Sequence, residues 1–433
     1  MNAPDRTHDP ERRAWLPSAQ ADTDFPIQNL PFGIFSRAGE APRGGVAIGD
    51  QVLDLRAARD AGLLSGEAAE AAADPSLNRL MALGPAASRA LRHQLSDLLA
   101  EGSPAQGAAA ALLVPMTEAR MHLPSRIANF SDFMVSREHS WRLGALKDAL
   151  APLPPAFDHL PVAYHSRASS VRTSGEAVRR PNGQWMRKDG LHFGPTEALD
   201  YELELAIWLG GAENPIGTPV PMSQAPDRLF GYGLLNDWSA RDMQRWEMPP
   251  LGPFLAKSLS TTVSPWVVTA DAMVPFAIAA ARRAEGVAAA PPHLDSDGNR
   301  SSGGLSIALE ALLLTPRMRA EGAAPARITA TDFATMSWTP AQMVAHHASN
   351  GCNLLPGDLL GSGTCSGPTD GSEACLAEIL LRGPVTLPNG ETRRFLEDGD
   401  EVIFRGRAHA PGAVSIGFGE CRAEILPAVP WPA

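Results

Sequence analysis

The chain has 433 residues, 44% hydrophobic and 20% charged, a globular composition with apolar material for one large domain or two ordinary ones. Its formal charge of −11 disfavours non-specific binding to nucleic acid or to an anionic membrane, and no apolar run is long enough to span a bilayer. The four cysteines (Cys352, Cys365, Cys375 and Cys421) include no C-x-x-C pair, so reduced thiols in a cytoplasmic protein are the simplest reading.

Residues 1–21 are charged, lack a hydrophobic centre, and read as a mobile tail rather than a signal peptide. Gly45–Leu55 alternates apolar and polar residues around Gly49-Asp50, which predicts a β-hairpin. Arg56–Leu99 carries Ala and Leu at helical spacing and predicts several short helices, and Glu101–Ala110 reads as a linker. These features define a small N-terminal domain over residues 22–117 and a larger one over 118–433. The larger part predicts strands at Val162–Arg172, Leu199–Leu209, Leu229–Leu235, Val263–Val268, Leu359–Gly361, Ala377–Leu381 and Glu401–Phe404. A helix is predicted from Thr339 as N-cap to Ala348, ending before Asn350-Gly351, and Gly286–Gly304 reads as a long exposed loop. The fold class is mainly β with peripheral helices (α+β).

The segment Leu199–Trp208 places Asp200, Glu202 and Glu204 at alternate positions, so on a strand they share one face. Three like charges side by side need either solvent or a cation. A solvated face is the plainer alternative, yet Ala206 and Trp208 continue it, which favours a metal. Asp237 ends an apolar strand, where it is either a ligand or a helix cap. Arg241 and Gln244, three apart, share a helix face and can both donate to one anionic group. Lys257 lies in a largely apolar run, so it either has a buried partner or a function, or snorkels to the surface. His139 follows Asp132-Phe133 closely, whereas His346-His347 diverge on a helix and read as packing. Gly361–Gly367 has the glycines but not the context of a dinucleotide loop, and there is no G-x-S-x-G elbow. Oxygen ligands of this kind suit Ca²⁺ or Mg²⁺ better than Zn²⁺.

Taken together these segments resemble the fumarylacetoacetase family, from about Asp22 to Pro427. The blocks DFPIQNLPFGIFS, GVAIGDQVLDL, LPVAYHSRASS, YELELAIW, NDWSARDMQRWE, LGPFLAKSLSTTVSPWVV, SNGCNLLPGDLLGSGT and DGDEVI carry the resemblance in one order. It implies an SH3-like N-terminal domain, a β-roll catalytic domain and a homodimer. It implies Ca²⁺ ligands at Asp132, Glu202, Glu204 and Asp237, with Asp200 left to a supporting role, and a second cation, commonly Mg²⁺, near Lys257 and Thr261. His139 matches the water-activating base and Glu378 its orienting carboxylate; Arg241, Gln244 and Lys257 match the oxyanion-stabilising groups. Tyr164 and Thr364 match substrate contacts. The expected reaction is hydrolysis of a carbon–carbon bond in a β-diketo acid, fumarylacetoacetate, during tyrosine and phenylalanine breakdown.

The chain departs from the family pattern at Met134 and Met248, where substrate-binding tyrosines are usual, at Ser260 beside the second cation site, and at Ser166 beside His165. A substrate-binding arginine lacks a clear counterpart, with Arg142 and Lys147 as candidates. These changes touch recognition more than chemistry, and two methionines suit a bulkier or less polar acylpyruvate or β-diketo acid. A metal-binding module without catalysis is the remaining alternative; the presence of both His139 and Glu378 argues against it.

Overall fold

The turn at Gly49-Asp50 shows how local sequence sets the first sheet. Strands β1 (Phe32–Ser36), β2 (Arg43–Ile48) and β3 (Gln51–Asp54) run antiparallel, and the pairing Ile48↔Gln51 leaves a two-residue turn. Its positive φ of 57° falls on Gly49, which lacks the Cβ that would resist it. This computed structural model describes residues 3–146 and 148–432. Lys147, one of the two candidate recognition residues, lies outside the described residues.

The predicted short helices follow: α1 (Leu55–Asp60), α2 (Glu67–Ala72), α3 (Asn78–Ala82) and α4 (Gly84–Leu99). Helix α4 buries Ser88, Leu91, Arg92, Leu95, Leu98 and Leu99, spaced to form one face, against Ile34, Val46 and Leu53 of the sheet. The expected linker is partly helical, α5 (Gln106–Ala110), because Ala109 is buried. Strands β4 (Leu113–Pro115) and β5 (Arg120–His122) complete a five-stranded sheet ordered β4-β3-β2-β1-β5. The pairing of β5 with β1 carries the N-terminal sheet past the expected boundary at residue 117.

The expected tail is packed from Asp5 onward. Thr7, Ala14 and Ala19 are buried, and buried Arg92 of α4 donates to Thr7 Oγ1 at 3.0 Å and to the Asn29 carbonyl at 2.5 Å. Charge in a sequence does not exclude order when an opposing helix supplies partners: Arg6 and Arg12 both pair with Asp97.

The larger part contains β6 (Phe130–Met134), α6 (Arg137–Ala145), β7 (Val162–His165), β8 (Val171–Thr173), β9 (Leu203–Leu209) and β10 (Leu229–Asp237). Next come α7 (Arg241–Glu247), α8 (Leu255–Ser258), β11 (Thr261–Val263), α9 (Asp297–Ser302), β12 (Ile307–Leu314) and β13 (Ala326–Asp332). The chain finishes with α10 (Pro340–His347), β14 (Leu359–Gly361), α11 (Leu376–Ile379), β15 (Glu401–Ala408) and β16 (Cys421–Leu426). One sheet is ordered β7-β6-β14-β9-β10-β11-β8; the other runs β13-β12-β15-β16. Their facing side chains share a core that includes Leu205, Ile207 and Leu234 from one sheet and Leu309, Leu313 and Phe404 from the other. Ala206 and Trp208, on the opposite face of β9, pack into the N-terminal core. The central strand is thus dry on both faces, the setting in which unpaired charge is least tolerable.

The α10 helix begins at the expected Thr339 cap, with a capping box to Gln342. Other expectations change. Val162–Arg172 is interrupted by a turn at Ala168–Ser170, and Pro265 separates β11 from a short strand at Val268–Thr269. Gly286–Gly304 is not one exposed loop: Ser296 caps α9, and Leu294 and Asn299 are buried. The predicted strand Ala377–Leu381 is instead part of helix α11 and the turn after it, because Asp200 accepts the N–H groups of Leu376 and Ala377 and caps that helix.

Candidate active site and metal centre

The expected continuous strand over Leu199–Leu209 breaks at Tyr201-Glu202: Leu199–Asp200 pairs with Ser239–Ala240, and β9 starts at Leu203. Asp200 therefore leaves the common acidic face. It accepts from Arg241 Nε at 2.8 Å, as well as from the start of α11. Glu202 and Glu204 remain, and β6 and β10 bring Asp132 and Asp237 beside them. One carboxylate oxygen from each of these four buried residues lies within 4.8 Å of the other three.

The cluster has the hallmarks of a cation site. Asp132 Oδ1 and Glu204 Oε1 are buried and have no hydrogen-bond partner among the described residues. Burial, and then the neighbouring carboxylates, push the Asp132 and Glu204 carboxyls well above their ordinary range. Asp237 is raised chiefly by burial. Burial opposes ionisation of Glu202 too, but Lys257, Arg241 and His139 outweigh it and hold this group low. The oxygens are hard donors, so a divalent cation such as Ca²⁺ or Mg²⁺ fits them. Gly361 of β14 makes the room: a Cβ there would stand 2.5 Å from Asp132 Oδ1 and 2.9 Å from Glu204 Oε2. The Gly363 N–H adds a bond to Glu204 Oε2 at 2.9 Å.

Lys257 does not snorkel. Its buried ammonium lies 2.6 Å from Glu202 Oε2 and 2.9 Å from Asp237 Oδ2. Burial works against its charge, but Asp237 and Glu202 outweigh burial and raise its pKa, so the nitrogen keeps its proton. Lacking a lone pair when protonated, its side chain is a counter-charge to the two carboxylates. Thr261 Oγ1 donates to Asp237 Oδ1 at 3.1 Å, next to buried Ser260.

Beside this cluster, Ser136 caps α6 and so presents His139 inward. His139 Nδ1 donates to Glu378 Oε2 at 2.7 Å, and its Nε2 lies 3.9 Å from Glu202 Oε1. Burial would raise the Glu378 carboxyl, yet His139, Ser366 and Cys375 bring it down to about 2. Arg241 Nη1 bonds Gln244 Oε1 at 3.0 Å and Glu202 Oε1 at 2.7 Å, while its Nη2 is buried without a hydrogen-bond partner among the described residues. Thr364 Oγ1 is likewise buried and unpartnered among the described residues. Tyr164 donates to Asp237 Oδ2 at 3.0 Å. Met134 shares the strand face of Asp132, and Met248, at the end of α7, continues the helix face of Arg241 and Gln244.

Several contributors were not legible as functional. Ser366, Gly361 and Gly363 lie in the glycine-rich stretch, which is a loop beside the carboxylate cluster and Glu378 and not a nucleotide loop. Asn236 receives the Glu202 N–H at 3.1 Å, and its position beside Asp237 was the only hint. His347, as expected, serves packing, bonded to Ser131 at 2.8 Å.

Fold and site together are those of a hydrolase built on β-sheets, with a carboxylate cluster that could hold a divalent cation. The fumarylacetoacetate (FAA) hydrolase C-terminal family matches residues 132–426, and the fumarylacetoacetase N-terminal family matches residues 28–124. The chain is 42% identical to fumarylacetoacetase of Homo sapiens over 431 residues, covering 96% of this chain and 99% of the relative. It is 44% identical to that of Caenorhabditis elegans (95% and 98% covered) and 41% identical to that of Arabidopsis thaliana (95% and 97% covered). A fumarylacetoacetate hydrolase from psychrophilic Exiguobacterium antarcticum shares the fold, with a TM-score of 0.51, 16% identity, and 92% of this chain and 99% of that one covered. The chain belongs to the fumarylacetoacetate hydrolase family.

Proposed function

We propose that this protein hydrolyses the carbon–carbon bond of fumarylacetoacetate to give fumarate and acetoacetate, in tyrosine and phenylalanine catabolism. The observation that carries the reading is the pairing of Glu378 with His139 beside four clustered carboxylates, in a chain that matches fumarylacetoacetases over nearly its full length.

Glu378 fixes the proton of His139 on Nδ1 and leaves Nε2 facing the cluster as a base. Nε2 takes a proton from water, and the resulting hydroxide adds to the ketone carbonyl. The alkoxide so formed is stabilised by Arg241 Nη2, with Gln244 and Lys257 contributing from the same side. As the alkoxide collapses to the carboxylic acid, which ionises to fumarate and gives its proton to solvent, the carbon–carbon bond breaks and its electron pair leaves with acetoacetate as an enolate. The His139 proton returns to that carbon, so water is the only co-reactant. A divalent cation held by Asp132, Glu202, Glu204 and Asp237 supplies Lewis-acid stabilisation of the diketo oxygens and the enolate charge. Ca²⁺ is the assignment for that site, with Mg²⁺ near Lys257 and Thr261.

Tyr164 and Thr364 supply substrate contacts, and Met134 and Met248 replace hydroxyl donors with apolar wall. That replacement favours a second reading, a related acylpyruvate or β-diketo acid as substrate. The homodimer and the cytoplasmic location belong to the same proposal. Exposed Leu251 and Phe254 offer apolar surface for an interface, and the four cysteines are unpaired.

The test is turnover of fumarylacetoacetate by the purified, metal-loaded chain, repeated after chelation and with His139→Ala. Turnover that chelation abolishes, and that falls by about 10²–10⁴-fold in His139→Ala, is the expected result. A folded, metal-bound protein inactive on this compound but active on another diketo acid establishes the second reading.

A further inference from the structure

We infer that Arg142 is a positioning residue that grips the Glu378 carboxylate on the side away from His139, an inference that rests on the hydrolytic reading above. Helix α6 carries His139 and Arg142 three residues apart, so one short helix presents both the base and a guanidinium to the same carboxylate. Glu378 Oε2 accepts from His139 Nδ1 at 2.7 Å, Ser366 Oγ at 2.6 Å and Cys375 Sγ at 3.2 Å. Oε1 is bonded from the other direction, by Arg142 Nη1 at 3.2 Å. Arg142 Nη2 donates to the Gly367 carbonyl at 3.0 Å.

The geometry is what a clamp requires. The guanidinium is planar, so fixing Nη2 on a backbone carbonyl also fixes where Nη1 points. Arg142 thereby joins three pieces of the site: α6, the loop that holds Thr364 and Ser366, and α11. The Glu378 side chain is wholly buried, and that of Arg142 is only 12% exposed, so water competes weakly for the bond. With Oε1 unheld, only the donors on Oε2 resist rotation of the carboxylate about its terminal torsion, and the imidazole that it orients loses part of its fixed aim. Arg142 is also one of the two candidates for recognising the substrate carboxylate. The structure directs two of its donors to Glu378 and Gly367, which predicts an effect on kcat rather than on KM.

The experiment compares metal-loaded wild type with Arg142→Ala, Arg142→Lys, Glu378→Gln and the Arg142→Ala/Glu378→Gln double variant. Thermal denaturation identifies any variant that fails to fold, in which case Arg142→Gln takes its place. The expected result is a kcat lowered about 10–100-fold in Arg142→Ala with KM and metal affinity unchanged, and partial recovery in Arg142→Lys. In the Glu378→Gln background, Arg142→Ala causes no further loss, since the arginine acts through that carboxylate. A raised KM at constant kcat, an unchanged kcat, or the full loss persisting in Glu378→Gln overturns the inference. A substrate-independent readout separates it from the functional reading: ¹⁵N NMR of His139 in the free protein. One Nδ1–H tautomer in wild type and a mixture in Arg142→Ala support the clamp even if fumarylacetoacetate is not the substrate. An unchanged tautomer in the variant overturns it even if that substrate is turned over.

Discussion

Asp132 and Glu204 illustrate how one environment reverses the usual behaviour of a carboxylate. Burial and mutual repulsion raise both groups, so without a cation they bind protons that solvated carboxylates release. Because the folded state then holds more protons than the unfolded one, stability from these groups falls as pH rises through and above the ordinary carboxylate range. A divalent cation replaces the protons and removes the penalty. Calorimetry in buffers of different ionisation enthalpy should therefore show proton release on metal binding, with affinity weakening as pH falls; binding without proton release would contradict this account. Glu378 has the opposite sign. Its carboxyl is lowered from 4.5 to about 2, so its contribution is present above 4.5 and is lost as pH falls towards 2. Titration of Glu378 followed by carboxyl ¹³C shifts should place its midpoint below the ordinary glutamate range, and a midpoint above that range would refute the assigned pairing.

Strands β6, β9, β10 and β14 show what an element contributes that a residue cannot. β6, β9 and β10 each deliver one carboxylate to the cluster, and the parallel pairing of β14 with β6 places Gly361 opposite Asp132. Gly361→Ala would push a methyl group against two of the clustered carboxylates, so metal affinity should drop about 10–100-fold with the fold retained. Titration with Ca²⁺ measures this, and unchanged affinity would show that the cluster is looser than the geometry indicates. In the N-terminal part, the leucines of α4 contribute packing. Leu95 is completely buried, and Leu95→Ala should cost about 2–5 kcal/mol in urea denaturation while kcat of the surviving folded protein is unchanged. The acidic alternation was legible as a strand face, but the break at Tyr201-Glu202 was not. It depends on Arg241 and the start of α11, which lie far along the chain and offer Asp200 better partners than the cluster does.

Over the whole molecule, the segment from Asp5 onward acts as a strap between the two parts. His8 Nε2 bonds the Asp271 carbonyl at 2.8 Å, and Arg89 on α4 pairs with the Asp271 carboxylate at 2.7 Å. Arg92 holds the strap from beneath. Arg92→Met should lower stability by about 3 kcal/mol, because the carbonyls of Gln28 and Asn29 lose a charged donor in a buried setting. Denaturant titration checks this, and a change within about 0.5 kcal/mol, the size typical of surface substitutions, would return the segment to the mobile tail its composition suggests.

Sequence alone determined the features that depend on local rules: the Gly49-Asp50 hairpin, the Thr339 cap, the strand-rich class, and the acidic alternation with the long ordered blocks that mark the family. These are written in neighbouring residues, because turn dihedrals, caps and face periodicity act over a few positions. Tertiary structure decided which acids meet. Asp132 and Asp237 are 105 positions apart, and His139 and Glu378 are 239 apart, so their encounter depends on sheet order and helix placement. It also decided that Asp200 leaves the cluster, that Lys257 stays a buried ammonium, that Arg142 turns to Glu378, and that the charged first residues are ordered. In each case a distant partner supplied the charge or hydrogen bond that local sequence lacked.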